Sequence, residues 1–184
     1  MSSINEPTTS AQANQPIALR KDLVALSGVD LTRKSSLVKE FVLVDGLGRS
    51  GKGMIGHILA SMDRVEKVRL DLGYDTCHRL YRLGKITHDA AVCMLKIEAD
   101  LGLYNNYIGR EVNFRFSDMS GIWANTRPFT YIRRLFSEEG APAVQRIRQE
   151  RPIFQSLSHD ALQSANLFFD AFGDRLRFIH VVRD

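Results

Sequence analysis

The residues best suited to chemistry in this sequence form a glycine-rich segment, GLGRSGKG, at residues 46–53. It lies between an apolar run, Phe41–Val44, and a stretch of helical spacing that extends from Lys52 to about Met62. Glycines allow backbone N–H groups to converge on an anion, and the N-terminus of the following helix attracts negative charge. The segment therefore predicts a phosphate-binding loop, in which Arg49 and Lys52 stabilise charge on a transferred group and its leaving phosphate.

The last residue of this segment departs from a common pattern. The segment fits G-x-x-x-x-G-K, but Gly53 stands where nucleotide hydrolases and kinases have Ser or Thr. In those enzymes the hydroxyl group holds Mg²⁺. Because this hydroxyl is absent, we expect the loop to bind phosphate without organising a metal in the usual way, and we predict no metal ligands.

The chain also contains the elements that would position such a loop. We predict strands at residues 41–44, 65–70 and 176–182, and helices at residues 52–62, 74–83, 86–109, 128–136, 143–150 and 157–172. Ser158 is the predicted N-cap of the last helix. Strands that alternate with helices predict an α/β fold, in which a parallel sheet of the P-loop type is flanked by helices in three α/β/α layers.

The composition limits the classes of protein to which the chain can belong. Its 184 residues fit one domain, and 44% hydrophobic with 25% charged residues is typical of a globular protein. A net charge of +4 suits a small anionic ligand but not nucleic acid, which requires a denser positive field. No apolar run approaches the roughly 18 residues of a membrane span. With both cysteines expected to be reduced, we predict a cytoplasmic location.

Two short motifs resemble a known family. Gly48-Arg49-Ser50-Gly51 resembles the 5′-phosphosulfate loop of sulfotransferases, and the closing segment Phe178–Asp184, FIHVVRD, resembles their second motif, an apolar strand that ends in R-[DN]-P. The resemblance implies transfer of a sulfuryl group from 3′-phosphoadenylyl sulfate (PAPS) to a hydroxyl acceptor such as a carbohydrate. It also implies that this transfer needs no metal.

The same resemblance assigns residues to the donor. By resemblance, Arg183 contacts the 3′-phosphate. The remaining donor-binding residues are those of the loop: Gly46, Gly48, Arg49, Ser50, Gly51, Lys52 and Gly53. Two features differ from the family: Lys52 stands where Thr or Ser is common, and the proline expected after the R-D pair lies beyond the end of the chain. We therefore expect residues 37–184 to be a sulfotransferase-like domain that is truncated at its C-terminus. We expect residues 1–36 to be a disordered tail and lead-in.

Transfer to a hydroxyl requires a general base. Glu66, Asp71 and Asp75 are the acidic candidates, and Asp71 is favoured because it follows a predicted strand at the edge of the sheet where ligands gather. Among the histidines, His57 lies one helical turn after the loop and could approach it. We expect His159, near a predicted helix start, to have a surface or capping role.

Several alternatives remain open from the sequence. The loop also fits an ATP- or GTP-dependent kinase or NTPase that uses Mg²⁺, with Asp71 or Asp184 as the acid that helps to hold the metal. A non-catalytic nucleotide-binding module would fit the absent hydroxyl as well. The segment Arg110–Trp123, which mixes polar and aromatic residues, predicts either one wall of an acceptor site or an edge strand.

Overall fold

The computed structural model describes residues 28–183. Residues 1–27 of the predicted tail and lead-in, and Asp184 with its predicted role, lie outside the described residues. The strands are β1 (Glu40–Asp45), β2 (Ile153–Leu157) and β3 (Leu176–His180). The α-helices are α1 (Lys52–Ala60), α2 (Leu72–Arg82), α3 (His88–Tyr107), α4 (Pro128–Arg134), α5 (Ala141–Glu150) and α6 (Ala165–Phe172).

The three strands form one parallel sheet with the order β2-β1-β3. Strand β1 is central: Phe41 lies opposite Phe154 of β2 on one side and opposite Leu176 of β3 on the other. Its sequence, EFVLVD, is buried from the second residue onwards, as expected of a parallel strand that is covered on both faces. Because β1 is central, the loop that follows it lies at the middle of the carboxyl edge of the sheet.

Alternate residues of β1 pack against helices on opposite faces of the sheet. Phe41 and Leu43 belong to a core that includes side chains of α2, α3, α5 and α6. Val42 and Val44 pack in a second core with Ala60 of α1. The predicted α/β class with a parallel sheet is therefore confirmed, and helices on both faces are compatible with three layers.

The helix predicted at residues 157–172 is wrong in its first half. Residues 153–157 form strand β2, and a 3₁₀ turn at Ala161–Ser164 precedes α6. The strand forms because its backbone pairs with β1, and Gln155 adds side-chain hydrogen bonds to the carbonyls of Gly56 (3.1 Å) and Glu66 (2.7 Å). The Ser158 hydroxyl donates to Asp45 at 2.8 Å and does not cap a helix.

The strand predicted at residues 65–70 forms only in part. Val65 and Leu70 make isolated parallel bridges to Ile153 and Leu157 at the two ends of β2. Between them, the Glu66 carbonyl accepts from the Gln155 side chain instead of from a strand backbone, which interrupts the ladder. The segment nevertheless runs along the outer edge of β2 and ends at the same edge of the sheet as the glycine-rich loop.

Among residues 28–183, none of the helices is long and apolar enough to cross a membrane.

Candidate active site

The glycine-rich loop, residues 46–51, connects the central strand β1 to helix α1. Gly51 occupies the N-cap position of α1 in the left-handed conformation (φ 91°), and no side chain caps the helix. The carbonyl of Gly51 accepts the first helical bond, from the amide of Met54 at 3.0 Å. An uncapped helix start leaves backbone N–H groups available to an anion and presents the positive end of the helix dipole.

Gly46 brings the loop close to the residues that follow β3. Its φ is 154°, and a Cβ at this position would lie 2.6 Å from the carbonyl oxygen of Val181 and 2.8 Å from Ser50 Oγ. Such distances are too short for any larger residue without movement of the backbone. Only glycine therefore allows the loop and the Val181 backbone to approach in this way.

Lys52, the first residue of α1, points into the loop. Its side chain is buried, with 7% of the residue exposed, and its Nζ donates to the carbonyl of Gly46 at 2.5 Å. Burial lowers the pKa of Lys52, while the carboxylates of Asp45, Asp75 and Asp160 act in the opposite direction. The Lys52 Nζ group therefore lies inside the loop, bound to its backbone.

The two motifs that were singled out in the sequence meet at one pocket. A pocket of about 240 Å³ is lined by Leu47, Gly48, Arg49 and Ser50 of the loop and by His180, Val181, Val182 and Arg183. The Arg183 guanidinium donates to the carbonyl of Arg49 at 3.5 Å, although the two residues are 134 positions apart. Ser50 Oγ is buried and has no hydrogen-bond partner among the described residues. An unpaired hydroxyl beside an uncapped helix start fits an anionic ligand with acceptor oxygens.

Asp45, at the end of β1, fixes the chain segments around the loop. Its carboxylate accepts from the Ser158 hydroxyl at 2.8 Å and from the amide of Ala161 at 2.9 Å, and it lies 2.8 Å from Nδ1 of His180. Burial would raise the pKa of Asp45, but these hydrogen bonds outweigh it and lower the pKa. An ionised Asp45 therefore ties the ends of all three strands together.

His159 and Asp75 form a second pair at this edge of the sheet. Nδ1 of His159 lies 2.7 Å from Asp75 Oδ2, and the His159 amide donates to Asp75 Oδ1 at 3.1 Å. The Asp75 side chain is 2% exposed, whereas that of His159 is 35% exposed. A buried carboxylate bound to Nδ1 orients the imidazole and leaves Nε2 for proton transfer.

Asp160 and His78 lie next to this pair. Asp75, His78 and Asp160 can each offer one atom within 4.8 Å of the others, a spacing that could hold a metal ion. Asp160 Oδ1 also lies 3.0 Å from Nε2 of His78 and accepts from the Arg79 guanidinium at 2.9 Å. Burial lowers the pKa of His78 despite the two carboxylates, which favours its neutral form.

Asp71, the predicted general base, is engaged in structural contacts. It caps α2 by accepting from the amide of Gly73 at 2.9 Å, and it forms an ion pair with Arg69 at 3.0 Å. Burial would raise the pKa of Asp71, but its hydrogen bonds and Arg69 lower it. The carboxylates of Asp45, Asp75 and Asp160 act to raise the pKa of Lys52. These contacts make Asp75, with His159, the better-placed acid.

Glu98 of α3 shares this buried region, and its ionisation should make stability depend on pH. Burial, followed by its hydrogen bond with Asp71, raises the pKa of Glu98 to about 7 from 4.5. The stability that protonated Glu98 contributes is then fully present below about pH 4.5 and is lost as the pH rises through 7. Glu98→Gln keeps a neutral side chain at every pH. We expect the melting temperature of Glu98→Gln, measured by circular dichroism, to rise relative to that of wild type between pH 5 and pH 8. A difference in melting temperature that stays the same at every pH would contradict this.

The structure brings the predicted donor-site residues close together and adds His159, which the sequence did not place there. All eight predicted donor-site residues, Gly46, Gly48, Arg49, Ser50, Gly51, Lys52, Gly53 and Arg183, belong to the loop, the start of α1 or the segment after β3. His159 was assigned a surface or capping role because a helix was predicted to begin beside it. The pair Ile153-Phe154, a β-branched and an aromatic residue directly after Pro152, is the signal that could have indicated a strand ending before His159.

Comparison of the chain with protein-family models, with curated proteins and with solved structures finds no match.

Proposed function

We propose that this protein is an α/β enzyme with a P-loop-type sheet that transfers a sulfuryl group from PAPS to a hydroxyl acceptor. The observation that carries this proposal is the pocket shared by Gly48–Ser50 and His180–Arg183, the two segments that resemble sulfotransferase motifs. Gly53, which has no hydroxyl at the metal-binding position, is consistent with transfer that needs no Mg²⁺.

The loop would bind the donor by its phosphate and sulfate oxygens. The amides at the start of α1 and the buried hydroxyl of Ser50 are available as donors to these oxygens. Lys52 and Arg49 supply positive charge, which stabilises the charge that develops on the leaving phosphate. Arg183, whose guanidinium reaches the backbone of Arg49, would contact the second phosphate of the donor.

His159 would be the general base. The acceptor O–H loses its proton to Nε2 of His159, the acceptor oxygen forms a bond to sulfur, and the bond between sulfur and the bridging phosphate oxygen breaks. The products are a sulfated acceptor and adenosine 3′,5′-bisphosphate. The Asp75 carboxylate, 2.7 Å from Nδ1, holds the ring and stabilises the imidazolium that forms.

Binding of two adenosine nucleotides tests the donor assignment. We expect Arg183→Ala to weaken adenosine 3′,5′-bisphosphate by about 10- to 100-fold, because it removes a charged contact to the 3′-phosphate. Binding of adenosine 5′-phosphate, which lacks that group, should change little. The measurement is calorimetric titration of each variant with both nucleotides.

Arg177→Ala is the matched control, because Arg177 is an exposed arginine on β3 whose side chain contacts backbone carbonyls near the opposite end of the strand. It should leave both affinities unchanged. Equal weakening of the two nucleotides by Arg183→Ala, or no weakening of either, would contradict the assignment of Arg183.

A second candidate function is phosphoryl transfer from ATP or GTP. The cluster of Asp75, His78 and Asp160 favours it, because these side chains could hold a divalent ion near the charge of Lys52. Mg²⁺ prefers oxygen ligands in octahedral geometry, however, and one of these three residues is a histidine. Binding of ATP that requires Mg²⁺ and is lost in Asp160→Asn would favour this function over sulfuryl transfer.

We also propose that the protein works in a reducing compartment such as the cytoplasm. Cys77 and Cys93 are both free. Burial raises the pKa of the Cys77 thiol to about 11, and its Sγ donates to the carbonyl of Ala91 at 3.5 Å. A buried, protonated thiol is the usual state of a structural cysteine in such a compartment.

A further inference from the structure

A cavity of about 460 Å³ lies between α1, residues 67–70 and the segment 111–120. Sites for small molecules usually have volumes of about 300–1,000 Å³. The apolar part of the wall comes from Val68, Leu70, Met119 and Leu157. The polar part comes from His57, Lys67, Arg69, Glu111, Asn113, Asp118 and Ser120. The segment 110–123, predicted as one wall of an acceptor site or as an edge strand, is a loop that contributes to this wall.

The cavity adjoins the glycine-rich loop. Met119, in its wall, packs against the first turn of α1, because a Cβ on Gly53 would lie 2.6 Å from Met119 Cε. Leu157, also in the wall, is the last residue of β2 and is followed directly by Ser158 and His159. A molecule in this cavity would therefore lie beside the first turn of α1 and beside the end of β2, from which the chain continues to His159.

Most charged groups in the wall are already paired. Arg69 forms ion pairs with Asp71 and Glu111, and Glu111 also accepts from the side chain of Asn105 at 2.7 Å. Asp118 accepts from the Asn113 side chain at 2.9 Å and from the amide and hydroxyl of Ser120 at 3.0 Å. These groups hold the wall in shape and have little capacity left for a charged ligand.

Lys67 is different. Only 6% of the residue is exposed, yet its ammonium group makes no hydrogen bond or ion pair with any of residues 28–183. Burial and the neighbouring Arg69 lower its pKa, while Glu66 and Glu111 act in the opposite direction. The ammonium group of a mostly buried side chain that lines the cavity and has no protein partner is available to an anionic ligand there.

His57, which α1 contributes to the wall, also has a side-chain nitrogen without a hydrogen-bond partner. Its Nε2 is buried and has no hydrogen-bond partner among the described residues. With its proton on Nε2, the imidazole can donate to an oxygen of the same ligand. One cavity thus contains an unpaired ammonium group and an unpaired imidazole nitrogen, and both are suited to an acidic oxygen group.

We propose that this cavity binds the acceptor, and that the acceptor is a small hydroxy acid whose anionic oxygen group is held by Lys67 and His57. This inference rests on the proposed sulfuryl transfer for the identity of the bound molecule as an acceptor. The anionic group anchors one end of the acceptor against Lys67. The apolar wall covers its body, and its hydroxyl lies towards the first turn of α1 and the end of β2.

The test compares an acid with a neutral analogue of the same size. Calorimetric or ligand-observed NMR titration uses 4-hydroxyphenylacetate and 4-hydroxyphenylethanol as probes, without any nucleotide. We expect the acid to bind at least about tenfold more tightly, as one charge-assisted contact would provide. Lys67→Met should abolish this preference, whereas Lys67→Arg should retain most of it. Lys85→Met, at an exposed lysine, is the matched control and should change nothing.

Two readouts separate failure of this inference from failure of the proposed function. Each variant is also titrated with adenosine 3′,5′-bisphosphate, whose binding reports an intact fold and the donor site. Absence of a preference for the acid in wild type, or an unchanged preference in Lys67→Met, would overturn the cavity assignment even if the bisphosphate binds. A preference for the acid that depends on Lys67 would support the cavity as an anion site even if the bisphosphate does not bind. In that case the absent bisphosphate binding would overturn only the proposed transfer.

Discussion

Replacement of His159 by alanine is expected to lower kcat for sulfuryl transfer by about 10²- to 10⁴-fold, the usual contribution of a positioned general base. The reason is the pair that His159 forms with buried Asp75, which orients the imidazole at the carboxyl edge of the sheet. Affinity for adenosine 3′,5′-bisphosphate should stay within about twofold, because His159 is not among the residues that line the donor pocket. Steady-state kinetics with PAPS and a hydroxy-acid acceptor, together with nucleotide titration, measures both quantities.

His88→Ala is the matched control for this variant. His88 also pairs with an aspartate, Asp170, at 3.0 Å, but both side chains are more than half exposed and lie away from the loop. Its replacement should leave kcat unchanged. If His159→Ala retained wild-type kcat and the wild-type dependence of kcat on pH, another group would be the base and the role assigned to the pair of His159 and Asp75 would be wrong.

Replacement of Glu66 by alanine is expected to lower the free energy of unfolding by about 3–5 kcal/mol, the usual cost of removing one partner of a buried ion pair. Glu66 binds Arg134 through both of its carboxylate oxygens, at 2.6 and 2.9 Å, and the two side chains are 6% and 11% exposed. The Arg134 guanidinium also lies over the ring of Tyr107, 4.0 Å from its centroid. Without Glu66 this buried cation loses its counter-charge. Urea unfolding followed by circular dichroism measures the loss.

Glu139→Ala is the matched control for the stability prediction. Glu139 forms an ion pair with Arg110 at 3.3 Å, but the two side chains are 64% and 56% exposed. Exposed pairs of this kind contribute little, so the unfolding midpoint should not change measurably. A similarly small change in the unfolding midpoint of Glu66→Ala would show that solvent or another carboxylate compensates the charge of Arg134. It would contradict the description of Glu66 and Arg134 as a buried ion pair.

The sequence predicted the strand before the glycine-rich loop and the helix after it, because the signal for both is local. The glycines, the apolar run before them and the helical spacing after Lys52 all lie within about twenty residues, and each constrains its own backbone. The burial of β1 was also predicted from a local signal, because an uninterrupted apolar run is typical of a strand buried on both faces. The resemblance assigned Arg183 to the 3′-phosphate of the donor, and in the structure the Arg183 guanidinium contacts the Arg49 backbone.

The parts that the sequence did not predict depend on contacts between distant positions. Strand β2 contains Gln155 and Ser156, polar residues that weaken its pattern and are satisfied only by groups far along the chain. His159 and Asp75 are 84 positions apart, so their pairing is not visible from spacing. The free ammonium group of Lys67 is likewise visible only once its neighbours are known to be paired with one another.

The most direct test of the central proposal is calorimetric titration of the full chain with adenosine 3′,5′-bisphosphate, with and without Mg²⁺, and with ATP under the same two conditions. We predict that the bisphosphate binds with an affinity that Mg²⁺ does not change, that ATP binds more weakly, and that Arg49→Ala weakens the bisphosphate. The opposite result, Mg²⁺-dependent binding of ATP in preference to the bisphosphate, would contradict sulfuryl transfer and favour phosphoryl transfer at the same loop.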